Sequence, residues 1–197
     1  MRLLMLRHGA TAWNLGRRIQ GRLDLPLHPA GRARIRSWRL DPGWRTALCL
    51  SSPLARARET AVLLGFSGAR PEPRLIEMDW GAYTGWRLAD LRALLGDRLA
   101  ANEARGLDFR PPGGESPREV AGRLADLFRE LAGIGRDHLL VTHKGVRHAA
   151  LVLACGWEMR DAPPLALADE VGLLLELDAE GRAGEVRPLP LVPTAGS

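Results

Sequence analysis

Leu3-Leu4-Met5-Leu6-Arg7-His8-Gly9 runs four apolar residues straight into a cation, an imidazole and a glycine. A short continuous apolar run of this kind reads as a strand buried on both faces. Ligand sites of open α/β sheets lie beyond the carboxyl ends of such strands, so Arg7 and His8 stand where a site is expected. Arginine keeps its charge and can grip two oxygens of an anion at once, while a neutral imidazole can attack phosphorus. Gly9 is expected to let the backbone turn sharply and come close to a ligand. The motif therefore points towards phosphate transfer through a covalent phosphohistidine, with fixed positive charge around the transferring group.

Three further segments carry polar residues at the ends of expected strands. Ala47-Leu48-Cys49-Leu50 leads into Ser51-Ser52-Pro53-Leu54-Ala55-Arg56-Ala57-Arg58; Ser52 is expected to cap a helix, Pro53 to take its first position and Arg56 to face the opening. Leu139-Leu140-Val141-Thr142-His143-Lys144-Gly145 is a second strand ending in a histidine beside a glycine, before a helical run to Cys155. A second imidazole, protonated beside phosphate, would donate to its oxygens. Arg74 to Gly85 forms a loop in which Glu77 sits among aromatic and apolar neighbours. Burial there would raise its pKa and let it protonate a leaving oxygen, with Asp79 as the competitor for that role. Trp80, Tyr83 and Trp86 are expected to be packing residues.

These motifs, together with Gln20-Gly21-Arg22-Leu23-Asp24-Leu25-Pro26-Leu27 and Pro112-Gly113-Gly114-Glu115-Ser116, resemble the histidine phosphatase superfamily in order and spacing, from Met1 to about Cys155. The resemblance implies that His8 is the phosphorylated nucleophile, that Arg7, Arg56 and His143 form the phosphate pocket, and that Glu77 is the proton donor. It implies polar contacts from Thr11 and Asn14, a phosphate- or substrate-binding role for Gln20, Gly21 and Lys144, and a reaction needing no metal and no cofactor. The chain departs from the family pattern at Ala10, Thr84 and Lys144, which bears on the substrate more than on the reaction. His28 stands before Pro29 where a capping serine or threonine is expected.

The 197 residues and 46% hydrophobic content fit one domain with a sizeable core. Strands near 2–6, 46–50 and 138–142 alternate with helices near 29–39, 53–64, 117–132 and 144–155. The expected fold is an α/β three-layer sandwich, a mostly parallel sheet with helices on both faces. Val171–Leu177 and Gly184–Arg187 read as a hairpin supplying an antiparallel edge strand. Residues 1–188 form the expected domain and 189–197 a loose tail.

Composition narrows the partners. The 28 lysine and arginine residues include a single lysine, Lys144, and the arginines are spread along the chain among 23 acids rather than forming a stripe. A nucleic-acid partner is therefore not expected, whereas a small anionic phosphomonoester is. No apolar run could span a bilayer. Cys49 and Cys155 read as reduced buried residues, which makes the expected location cytoplasmic. His138 and His148 are expected to be structural or surface residues, and no histidine spacing suggests a metal cluster. The functional expectation is a phosphomonoesterase close to the α-ribazole phosphatase and broad-specificity sugar-phosphate branch. The alternatives are a phosphoglycerate mutase-type isomerase and a non-catalytic phosphate-binding protein; oligomeric state is not legible.

Overall fold

The computed structural model describes residues 1–191. Strand β1 (Arg2–Arg7) carries the opening motif, and Leu3, Leu4, Met5 and Leu6 are all completely buried. Side chains alternate across a strand, so the four divide between two cores. Leu3 and Met5 pack with Leu140, Leu173 and Leu175 on one face; Leu4 and Leu6 pack with Leu139, Val141 and Leu174 on the other. Each such side chain contributes about 2 kcal/mol of hydrophobic stabilisation.

Burial on both faces places β1 inside the sheet. The strands are ordered β3-β2-β4-β1-β5-β6, with β2 at Leu48–Ser51, β3 at Arg70–Pro71, β4 at His138–Thr142, β5 at Val171–Leu177 and β6 at Ala183–Pro190. The first four are mutually parallel, and β5 and β6 add the antiparallel edge. The hairpin strand β6 runs on to Pro190, and Leu191 is 1% exposed. A loose tail from residue 189 is thus not found at 189–191; the rest of that expected tail, 192–197, lies outside the described residues.

Helices cover both faces. Helix α6 (Pro117–Ile134) and α7 (Lys144–Cys155) pack on the Leu3/Met5 side through Leu124, Leu127, Phe128, Val146 and Leu151. Helices α2 (Pro29–Ser37) and α3 (Ala55–Leu63) cover the Leu4/Leu6 side through Ile35, Ala57 and Ala61. A short helix α1 (Ala12–Leu15) follows β1. The α/β three-layer arrangement matches the expectation.

Local chemistry sets the ends. Ser116 and Glu119 form a capping box at the start of α6, and Gly135 closes it at φ 67°. His28 does cap α2: its Nδ1 accepts from the Ala30 amide at 3.2 Å, replacing the expected hydroxyl with an imidazole. Helix α2 stops at Ser37 rather than 39, because the Arg39 amide leaves the helix for the carbonyl of Leu191. The 82–117 connection is not a bare loop. It holds α4 (Leu88–Leu95) and α5 (Asp97–Glu103), which build a small core with Tyr83, Leu91 and Leu99.

Candidate active site

Strands β1 and β4 are paired with Arg7 opposite Thr142, and β4 and β2 with Val141 opposite Ser51. The residues that follow, His8, His143 and Ser52, therefore emerge side by side at the carboxyl ends of three neighbouring strands. The rings of His8 and His143 lie 5.0 Å apart. Beside them is a cavity of about 340 Å³ lined at its polar end by Arg7, His8, Asn14, Gln20, Gly21, Arg56, Glu77, Lys144 and Gly145.

His8 is fixed in one tautomer. Its Nδ1 lies 2.7 Å from the Gly9 carbonyl oxygen, an acceptor only, so Nδ1 carries the proton. Its Nε2 accepts from Nε of Arg56 at 3.2 Å and so holds the free lone pair. Burial, then the charges of Arg56 and Arg7, push its pKa well below the ordinary value, which keeps the ring neutral. Gly9 also has a packing role: a β-carbon there would lie 2.3 Å from Cδ1 of Ile35, so the glycine allows α2 to press against the end of β1.

Arg56 is 1% exposed, and its terminal nitrogens donate to the carbonyls of Leu23 at 2.8 Å and Gly21 at 2.7 Å. Gly21 presents that carbonyl from φ +52°, a conformation that suits glycine. Burial lowers the Arg56 pKa to about 10, which leaves it charged at neutral pH. Arg7 is bonded through Nη1 to Asp169 from the loop before β5, while its Nε is buried without a protein partner.

His143 places Nε2 2.7 Å from Oγ of Ser52, and its Nδ1 is buried with no partner. Burial and then the neighbouring His8, Arg56 and Arg7 hold its pKa well below the ordinary range. The ring is thus neutral beside these cations, and the protonated donor expected from the sequence requires an anion to offset them. Ser52 is not the helix cap it was expected to be, and Pro53 is not the first helical residue. With the hydroxyl on His143, α3 begins only at Ala55, whose amide is satisfied by Oδ1 of Asp24 at 2.8 Å.

Of Glu77 and Asp79, only Glu77 lines the cavity. Its Oε1 accepts from the Met78 amide at 2.9 Å and its Oε2 from the Gly145 amide at 3.3 Å, inside the cavity. Burial raises its pKa, against the smaller lowering effects of those amides and of Arg56 and Arg7. Asp79 instead caps the following turn through the Gly81 amide and faces Arg22 at the surface.

Thr11 does not reach the cavity. It is completely buried, caps α1 through Asn14 and donates to Oε1 of Gln20 at 2.8 Å. Gln20 lines the cavity, and with its Oε1 held by Thr11 its Nε2 is buried without a protein acceptor. Thr11 is thus a support for Asn14 and Gln20 rather than an expected phosphate contact. Among the described residues, no three histidine, cysteine or acidic side chains come together in a way that could hold a metal ion.

The sequence profile of the histidine phosphatase superfamily (branch 1) matches residues 3–187. The chain belongs to the histidine phosphatase superfamily. Among members of that superfamily, glucosyl-3-phosphoglycerate phosphatase of Mycolicibacterium vanbaalenii is 36% identical over 179 residues, covering 83% of this chain and 78% of the relative. A 2,3-bisphosphoglycerate-dependent phosphoglycerate mutase of Methylobacterium radiotolerans is 30% identical, with 90% of each chain covered. The structure of mycobacterial glucosyl-3-phosphoglycerate phosphatase in complex with VO3 superimposes with a TM-score of 0.77 at 30% identity, covering 98% of this chain and 99% of that one. Membership makes this histidine phosphatase a phosphatase or a mutase.

Several residues of this histidine phosphatase site carried no signal in the sequence. Asp169 and Ser52, the partners of Arg7 and His143, meet them only through the fold. The far wall of the cavity is formed by Ile19, Trp80, Phe109, Val120 and Met159, with His148 beside them. Trp80 therefore packs, as expected, and also faces the cavity. His148, expected to be structural or superficial, lies one turn after Lys144 on α7, and its pKa is pushed down to about 4, first by burial and then by Lys144 and Arg147.

Proposed function

We propose that this protein is a phosphomonoesterase that hydrolyses a small phosphorylated metabolite through a phosphohistidine formed on His8. The observation that carries the reading is the free lone pair of a neutral His8 imidazole, next to residues with buried nitrogens that have no protein partner. Arg7 Nε and Gln20 Nε2, on residues that line the cavity, are of this kind, and so is Nδ1 of His143, whose ring lies 5.0 Å from that of His8. An unpaired buried donor costs about 1–3 kcal/mol, and a phosphate dianion would satisfy the first two, and Nδ1 as well when it carries a proton.

In the first step Nε2 of His8 bonds to phosphorus as the P–O bond to the alcohol breaks, and the Glu77 carboxyl gives its proton to the departing oxygen. In the second, the Glu77 carboxylate takes a proton from water as that oxygen attacks phosphorus. The P–N bond breaks, phosphate leaves, and His8 and protonated Glu77 are restored. Nδ1–H on the Gly9 carbonyl holds the ring orientation throughout, and Arg56 moves its Nε–H from the lone pair to a phosphoryl oxygen.

The phosphatase relatives support hydrolysis, and α-ribazole 5′-phosphate and sugar phosphates are the first candidate substrates. The mutase reading draws on relatives such as the Methylobacterium enzyme. It is the second reading because the carboxylate of a phosphoglycerate would have only Arg18 and Lys144 to meet beyond the phosphate pocket, where the other lining residues are Ile19, Trp80, Phe109 and Met159. Cys49 is half-buried and Cys155 is exposed rather than buried as expected, and their unpaired thiols support a cytoplasmic setting. The test is phosphate release from α-ribazole phosphate, 3-phosphoglycerate and an aryl phosphate, in chelator, by wild type and His8→Ala. Chelator-resistant release that vanishes in the variant is expected; release indifferent to His8, or isomerisation of phosphoglycerate without release, overturns the reading.

A further inference from the structure

A second cavity of about 230 Å³ lies behind the far wall of the first and shares Trp80, Phe109, Pro117 and Met159 with it. Its other lining residues are Tyr83, Leu88, Leu99, Gly106 and a single acid, Glu103. Both linings thus include those four shared residues. Trp80 and Phe109 pack against each other, ring centroids 5.7 Å apart and planes tilted by 58°. Met159 holds its backbone at φ 58°, a strained conformation for a methionine, and carries a flexible thioether chain.

We infer that the two cavities together form the substrate site, the first holding the phosphate and the second a flat apolar or aromatic group carried by the leaving alcohol. The inference rests on the phosphomonoesterase reading for its chemistry and adds the class of substrate. A polyol would find little to bond beyond the phosphate end. Arg18 already donates Nη1 to the Gly85 carbonyl at 2.8 Å, and apart from it and His148 the wall away from the phosphate end is Ile19, Trp80, Phe109, Pro117, Val120 and Met159. Hydroxyls buried there would lose water without gaining partners, whereas an aromatic group gains dispersion, ring contact and apolar burial. The Arg18 and Lys144 cations in the first cavity still favour an anionic ligand, so the apolar end acts on which phosphomonoester is chosen rather than on whether one is.

The test compares three primary alkyl phosphates whose leaving groups are of similar basicity: 2-(2-naphthyl)ethyl phosphate, ethyl phosphate and glycerol 3-phosphate. The expected kcat/KM for the naphthyl compound exceeds the others by ~10-fold or more, the scale on which apolar pockets discriminate. Leu88→Trp, which fills the second cavity from its solvent side, should collapse that ratio, and Phe109→Ala, which removes a ring common to both linings, should change it for larger rings. Calorimetric binding of naphthylethyl phosphonate and ethylphosphonate reads the same preference without turnover, so a failure of the phosphatase reading leaves this test standing. Equal kcat/KM values, equal phosphonate affinities, or a ratio untouched by Leu88→Trp would overturn the inference.

Discussion

Replacing Gly145 by alanine separates the placement of Glu77 from the stability of the fold. Gly145 is the second residue of α7, and its amide donates to Oε2 of Glu77 at 3.3 Å. A β-carbon there would lie 2.4 Å from Oε1 of the same carboxylate and 3.6 Å from Cβ of Met78. The second contact is ordinary, but the first is about 1 Å too short for non-bonded atoms. The carboxylate is the end of a flexible side chain and can retreat by that amount, so the clash itself costs little stability. Alanine in a helix is favoured over glycine by about 0.5–1 kcal/mol. The variant should therefore be as stable as the wild type or slightly more so. A displacement of about 1 Å of a catalytic group costs on the order of 100-fold in rate, equivalent to about 2.7 kcal/mol of transition-state stabilisation. Urea denaturation and kcat/KM on an alkyl phosphate, measured on the same preparation, give the two numbers. Full activity with unchanged stability would refute the assignment of Glu77 as a positioned acid; a loss of activity that tracks a loss of stability would refute the packing argument.

Three further outcomes follow from the same geometry. Glu77→Gln should slow alkyl phosphates more than aryl phosphates, because only the former need a proton on the leaving oxygen; equal losses would remove the acid role. The raised pKa of Glu77 means that ionising it opposes folding, so wild-type stability should fall as pH rises above the ordinary carboxylate range and the same variant should lack that fall, read by denaturant titration at several pH values. His8, His138, His143 and His148 all have lowered pKa values, so their contribution is present above about pH 6.5 and is lost on acidification. His148→Gln should remove up to about 1.4 kcal/mol per pH unit from the acid slope between about 6.5 and 4, measured by denaturant titration at several pH values; an unchanged slope would mean His148 titrates normally. Asp169→Asn frees Arg7 from its carboxylate partner and should weaken orthovanadate inhibition by ~5-fold, the equivalent of about one hydrogen bond, without altering the denaturation midpoint; unchanged inhibition would show that Arg7 is oriented without Asp169.

The reacting end of the site was legible because its residues stand next to the strands that place them. Arg7-His8 and Thr142-His143 each follow an apolar run, and once both runs are strands of a parallel sheet the two histidines must emerge together. Helix α7 begins and ends where its sequence says, at Lys144 and Cys155, for the same reason. Misreadings came where one side chain had two possible partners. Ser52 and Thr11 both suit helix capping; Thr11 does cap, and Ser52 spends its hydroxyl on an imidazole 91 residues away in the chain. Gly9 makes room for Ile35, a contact that no local pattern announces. The apolar end was not legible, because Phe109 and Met159 sit in segments with no periodicity and reach the cavity only through the packing of α4, α5 and α6.

The division of the cavity between sheet and connections bears on how such an enzyme can be redirected. His8 and His143 inherit their spacing from a ladder of backbone hydrogen bonds between two central strands, which no surface substitution will move. Trp80, Phe109 and Met159 stand on stretches whose shape is set by a few local contacts. Libraries confined to these three positions should therefore exchange one alcohol for another while the phosphoryl chemistry stays intact, and the same freedom would let relatives sharing this sheet serve unrelated metabolites.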